Sequence, residues 1–209
     1  VCSSDLELGG AAVHESIAGN IHFTAQDERH AFQIVRALLG YLPSNNLESP
    51  PVVPFGEVVA DDPVLDTILP EGSRQAYDVK EIIARLVDPG SFLEVQAGYA
   101  QNIVIGLARL GGFPVGLLAN QPSVMAGALD INASDKAARF IRTCNVFNLP
   151  LVTLVDVPGF LPGTAQEHQG IIRHGAKMLF AYSAATVPKL TVILRKAYGG
   201  SYLAMCSKD

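Results

Sequence analysis

The sequence predicts an α/β fold in which helices cover both faces of a parallel sheet, and the back half of the chain carries the argument. Residues 151–155 and 190–194 are short apolar runs rich in valine, leucine and isoleucine, and a helix-compatible stretch over residues 166–185 separates them. A further helical pattern over residues 134–148 precedes the first run. Continuous apolar strands that alternate with helices are the units from which parallel sheets buried on both faces are built.

Thr24 followed by Asp27 has capping-box spacing, and Phe32, Val35, Leu38, Leu39 and Leu42 recur at helical intervals until Pro43, predicting a helix of roughly 16 residues. Residues 42–54 are rich in proline, asparagine and serine, a composition that punctuates rather than packs. A linker is therefore expected over residues 44–74, between an end piece over residues 7–43 and a second unit over residues 75–209. Asp78 with Glu81 predicts a second capped helix with Val79, Ile82, Ile83 and Leu86 on one face, stopped by Asp88-Pro89-Gly90. Its apolar face is expected to lie on a sheet. Residues 92–96, 103–110 and 113–119 are strand-like, and Gly111-Gly112 between the last two signals a hairpin turn.

Composition excludes several function classes. The 209 residues are 49% hydrophobic and 17% charged, enough apolar material for a core. Net charge is -5 and the 15 lysines and arginines form no run, so the electrostatic footprint of a nucleic-acid binder is missing. Residues 110–129 carry no charge but contain Pro114, Pro122, Asn120 and Gln121, which rules out a membrane helix. Cys2, Cys144 and Cys206 are odd in number and widely spaced, as reduced thiols are. The five histidines share no metal-ligand spacing with them, so no metal site is expected. The chain starts at Val1 and stops where residues 201–209 read as the opening turns of a helix, so a piece of a longer protein is expected.

Two strings are placed to do chemistry. Arg195-Lys196-Ala197-Tyr198-Gly199-Gly200-Ser201 lies between a strand and a helical run from Tyr202. A glycine pair there leaves amides unpaired near the positive end of a helix, where they stabilise an oxyanion. An ordinary tight turn is the alternative. The second string, Val155-Asp156-Val157-Pro158-Gly159-Phe160, turns sharply at the carboxyl end of a buried strand, where open α/β sheets bind ligands. It also matches the D-x-x-G switch of GTP-binding proteins, but no phosphate-cradling G-x-x-x-x-G-K-[ST] string accompanies it. Hydrolase and metalloprotease motifs are missing as well.

Taken with Leu42-Pro43-Ser44-Asn45-Asn46, Val87-Asp88-Pro89-Gly90-Ser91-Phe92-Leu93-Glu94 and Asn120-Gln121-Pro122, these strings resemble the β-subunit (carboxyltransferase) family of biotin-dependent acyl-CoA carboxylases. The resemblance runs from about Glu7 to Asp209. It leaves out residues 1–6, which are expected to be foreign sequence. It implies a crotonase-like α/β fold, truncated to the C-terminal tail of a first carboxyltransferase domain, the linker and the front half of a second. The implied reaction, of the propionyl-CoA or acetyl-CoA carboxylase type, moves a carboxyl group between carboxybiotin, held on a partner biotin carboxyl carrier protein or biotin carboxylase subunit, and the α-carbon of an acyl-CoA.

On this resemblance the amides of Gly200 and Ser201 are the catalytic groups, an oxyanion hole for the biotin ureido oxygen. Leu203, Tyr198, Gly199, Asp156, Pro158, Gly159 and Phe160 are the substrate-binding candidates. Leu203 stands where typical propionyl-CoA carboxylases have aspartate, which gives methylmalonyl-CoA decarboxylase and transcarboxylase subunits a larger share of the reading. A crotonase-like enzyme without biotin is the remoter alternative. The family also implies a homo-oligomer, commonly a hexamer, in the bacterial cytoplasm or mitochondrial matrix, touching a membrane only indirectly within a sodium-pumping decarboxylase.

Overall fold

The computed structural model describes residues 7–45, 47–55 and 61–206, so residues 1–6 and their expected foreign origin lie outside it. At its centre is a five-stranded sheet ordered β1-β2-β3-β4-β5. The strands are β1 (Leu93–Val95), β2 (Ile103–Leu110), β3 (Phe113–Asn120), β4 (Leu151–Val157) and β5 (Lys189–Ala197). The first three pair antiparallel, and β3-β4 and β4-β5 pair parallel. The sheet is thus mixed: the α/β units of the back half supply its parallel side and the hairpin of the front half its antiparallel side.

That hairpin turns through Gly111 and Gly112, whose φ angles of 59° and 83° suit the tight turn that matches strand twist. The Asp88 carboxylate locks it, accepting from both glycine amides at 2.7 Å. Alternation along the strands feeds two cores. Ile103, Ile105, Leu107, Leu118, Leu151 and Val155 pack on one face with α4 (Ile131–Val146) and α6 (Ile171–Ala184). On the other, Val104, Ala108, Val115, Leu117, Val152 and Leu154 meet α3 (Val79–Leu86).

Helix α3 begins where its cap lies. Asp78 accepts from the Lys80 amide, and Val79, Ile82 and Ile83 are buried on the sheet, each worth about 1.5–3 kcal/mol. The earlier helices are α1 (Ala11–Ser16) and α2 (Glu28–Leu39). The cap of α2 is Asp27 alone, which accepts from His30, so the helix is 12 residues long rather than starting at Thr24. Its Phe32, Val35 and Leu39 are exposed, while Leu38 packs on the core.

The expected single helix over residues 166–185 is two. Gly170, with φ 89° and ψ 47°, ends α5 (Thr164–Gln169) and opens α6. Lys136 of α4 enters the core, where it donates to the carbonyls of Gln96, Tyr99, Ala100 and Ile103. Burial pushes its pKa down to about 8, opposed by the negative charge of Glu94. Among the described residues, no helix is long and apolar enough to cross a membrane.

Candidate active site

The strands β4 and β5 end side by side at the carboxyl edge of the sheet, with Val157 opposite Ala197. Just before that point the register slips. Val155 pairs with Ile193, so Asp156 alone faces Leu194, Arg195 and Lys196, a bulge that bends β5 and re-aims its end.

Asp156 is fully buried and is consumed by this bulge. Its Oδ1 accepts from the Lys196 amide at 3.0 Å, and its Oδ2 accepts from Arg195 Nε at 3.1 Å and Tyr77 Oη at 2.8 Å. Its own amide donates to Asn120 Oδ1 at 3.1 Å. Arg195 reaches further, donating to the carbonyls of Gly72 and Gln75 while its guanidinium stacks 5.0 Å from the centroid of the Tyr77 ring. Burial first, then the hydrogen bond to the Asp156 carboxylate and its charge, push the Tyr77 hydroxyl well above its usual range. The geometry therefore makes Asp156 an internal brace and not a group facing the open edge.

Beyond the bulge the chain turns once and enters α7 (Gly199–Ala204). Tyr198, in extended backbone, donates its amide to the Val157 carbonyl at 3.2 Å, tying the turn to β4. Gly199 takes φ +62°, a left-handed conformation that glycine adopts without strain. The helix therefore starts three residues before Tyr202, and Gly200 and Ser201 occupy its first turn.

First-turn amides have no intrahelical acceptor. The first amide here to find one is that of Tyr202, which donates to the Tyr198 carbonyl at 3.4 Å; those of Gly200 and Ser201 donate to no described residue. The Ser201 hydroxyl is already engaged, donating to the Tyr198 carbonyl at 2.7 Å, so only the amide of Ser201 is left for chemistry.

The neighbouring turn after β4 uses its backbone up. Leu129 donates to the Gly159 carbonyl at 3.1 Å and Leu161 donates to the Leu129 carbonyl at 2.8 Å. Between them the half-buried Phe160 ring lies against Gly175 of α6 and reaches Gly200, so close that a Cβ on Gly175 would stand 2.6 Å from it. Pro158 and Gly159 are half-buried, whereas Tyr198 and Leu203 are exposed. The structure thus brings Phe160, Tyr198, Gly199, Gly200 and Ser201 to one edge.

Three residues of this edge were not singled out as site residues from the sequence. Arg195 and Asn120 lie within recognised strings, but nothing in the pattern ties Tyr77 to a strand 79 residues away. Among the described residues, His174 pairs with Asp135 at 2.8 Å, Cys144 is buried with its thiol pushed up by burial, and no metal-ligating cluster exists.

The carboxyl transferase domain, as a family, matches residues 2–209. The chain belongs to that family. It is 60% identical over 203 residues to the methylmalonyl-CoA carboxyltransferase 12S subunit of Propionibacterium freudenreichii subsp. shermanii, covering 97% of this chain and 39% of that protein. The methylmalonyl-CoA decarboxylase subunit alpha of Veillonella parvula is 59% identical over 97% of the chain and 40% of its own length. A crystal structure of transcarboxylase 12S, described as a hexamer with methylmalonyl-coenzyme A and methylmalonic acid bound, superposes with a TM-score of 0.94 at 60% identity, covering 96% of this chain and 39% of that one. The family members it matches are carboxyltransferases with the crotonase-like fold, and the chain spans about two-fifths of the length of these relatives.

Proposed function

We propose that this chain forms the biotin-binding side of a carboxyltransferase active site, in a subunit that moves a carboxyl group between carboxybiotin and the α-carbon of an acyl-CoA. The single observation that carries the reading is the pair of Gly200 and Ser201 amides, left without acceptors at the carboxyl edge of the sheet. The residues present fit a planar ureido group: two adjacent donors, and at Gly200 no side chain between backbone and ligand. The family membership and the identity of close to 60% to carboxyltransferase subunits support the same reading.

When bound, carboxybiotin supplies the carboxyl group and, once relieved of it, the base for the acyl α-proton. The chain's own part is electrostatic. The amides of Gly200 and Ser201 donate to the ureido oxygen and stabilise the negative charge it develops as the carboxyl group leaves. Gly199 permits close approach, Phe160 backs Gly200, and Tyr198 and Leu203 stand exposed at the rim. Pro158 and Gly159 shape the adjoining turn. The same reading assigns residues 7–43 to the tail of a first domain, residues 44–74 to a linker and residues 75–209 to the front of a second. It brings with it a biotin carrier or biotin carboxylase partner, a hexamer like that of transcarboxylase 12S and a cytoplasmic location.

Leu203 favours a second reading for the subtype. An apolar side chain at this exposed position, rather than the aspartate of typical propionyl-CoA carboxylases, fits a methylmalonyl-CoA decarboxylase or transcarboxylase subunit. The test is decarboxylation of malonyl-CoA and methylmalonyl-CoA by the subunit carrying this chain, with and without free biotin. Gly200→Pro removes one amide at a first-turn position that accommodates proline, so the fold persists while biotin-stimulated turnover falls about 10²–10³-fold. Turnover indifferent to biotin, or untouched by this variant, overturns the assignment in favour of a crotonase-like enzyme without biotin.

A further inference from the structure

The carboxylate of Asp156 is the most deeply buried charge at this edge, and the proposed reaction has no direct use for it. Its geometry gives it another. Where β4 and β5 fall out of register, the Lys196 amide has no ladder acceptor on β4, and Asp156 Oδ1 takes that place at 3.0 Å. Its Oδ2 is held by Arg195 and Tyr77. An ionised carboxylate only accepts, so both oxygens serve these three donors at once, which an amide of the same shape does not do without turning a donor against a donor.

Between the bulge and Gly200 the chain is tied back to β4 where Ala197 pairs with Val157 and the Tyr198 amide donates to the Val157 carbonyl. The path of residues 194–197 therefore decides where α7 starts and where its first amides point. We propose that Asp156 is a positioning residue for the Gly200 and Ser201 amides: braced by Arg195 and Tyr77, its carboxylate holds the β5 bulge that sets their direction. The proposal rests on the oxyanion reading above. The brace also spans the fold, because Arg195 carries the Gly72 and Gln75 carbonyls on its far side, so the segment leading into α3 is fastened to the same bulge.

A brace that only added stability would leave the chemistry alone once the protein is folded. The experiment is Asp156→Asn in the subunit carrying this chain, read by steady-state kinetics of biotin-stimulated methylmalonyl-CoA decarboxylation and by amide hydrogen exchange. The expected result is a fall in kcat of about 10²-fold with KM for the ester within about twofold, since a shift of about 1 Å at a site costs that much. Exchange at residues 196–202 rises while that of β2 and β3 stays protected. Arg195→Gln and Tyr77→Phe, which leave the carboxylate in place and remove one donor each, move kcat the same way by less.

An unchanged kcat in folded Asp156→Asn protein overturns the proposal, as does a loss of protection spread evenly over β2 and β3. If Asp156→Asn fails to fold, unchanged kcat in both donor variants overturns it instead. Failure of the oxyanion reading has a different signature: Gly200→Pro then keeps its biotin-stimulated turnover whatever Asp156→Asn does.

Discussion

The two turns that follow β4 and β5 leave the same edge of the sheet from neighbouring strands, yet one closes its backbone and the other leaves it open. After β4, the segment through Gly159 and Leu161 exchanges two hydrogen bonds with Leu129, so its polar groups serve the fold. After β5, the chain enters a helix so short and so abruptly that the amides of Gly200 and Ser201 are left without acceptors among the described residues. Both turns contain glycine, and glycine content does not tell them apart. What separates them is whether another segment lies within hydrogen-bonding reach: the strand-like bridge from Leu129 to Phe160 gives the first turn a partner, and nothing described takes that place beside Gly200.

Proline breaks this comparison most sharply. Gly200→Pro is expected to cost turnover about 10²–10³-fold with little loss of stability, because the amide it deletes serves no fold bond. Leu161→Pro is expected to do the reverse, destabilising by about 1–3 kcal/mol through the stranded Leu129 carbonyl, a loss visible in thermal unfolding. Equal effects of both on unfolding would erase the distinction between the turns.

Ser201→Ala sharpens it at a smaller scale. The buried hydroxyl bonds the Tyr198 carbonyl and holds the turn, while the amide next to it is the group assigned to chemistry. Alanine keeps that amide, so a cost of about 1 kcal/mol in stability and only a few-fold change in kcat are expected. A loss in kcat as large as that of Gly200→Pro would move the function from backbone to side chain.

How much of this is visible in the sequence depends on whether the cause is local. The α3 helix is legible because Asp78 caps it and its apolar stripe meets a sheet, although Leu86, expected on that stripe, lies past the sheet contact and is exposed. The α2 stripe gives the same periodic signal, yet Phe32, Val35 and Leu39 are exposed; periodicity says that a face is apolar and not what covers it. The break at Gly170 is hidden inside an uninterrupted helical pattern, and the choice of Asp27 over Thr24 as cap turns on three residues of backbone path. The glycine pair and the turn after β4 are both visible as strings at a strand's end. The role of Asp156 is not, because a bulge leaves no mark in an apolar run and its brace comes from Tyr77, far away in the chain. A carboxylate at the carboxyl edge of a strand looks the same from sequence whether it faces a ligand or the interior.

The smallest expected effect lies just past the open turn. Leu203 is exposed and donates or accepts nothing through its side chain, so Leu203→Asp should change stability by less than about 0.5 kcal/mol. Its consequence belongs to selectivity. If this position lines the acyl pocket, as the resemblance to acyl-CoA carboxylases implies, a carboxylate there changes which acyl group is accommodated. The ratio of kcat/KM for acetyl-CoA and propionyl-CoA should then move by about tenfold, the scale on which a pocket discriminates one methylene. Leu203 follows the unpaired amides in the chain, whereas the Asp156 brace holds Arg195 and Lys196 ahead of them, so a substitution at Leu203 touches none of the brace's hydrogen bonds. An unchanged ratio would mean that the open turn recognises the carboxyl carrier only and that acyl choice is made elsewhere in the subunit.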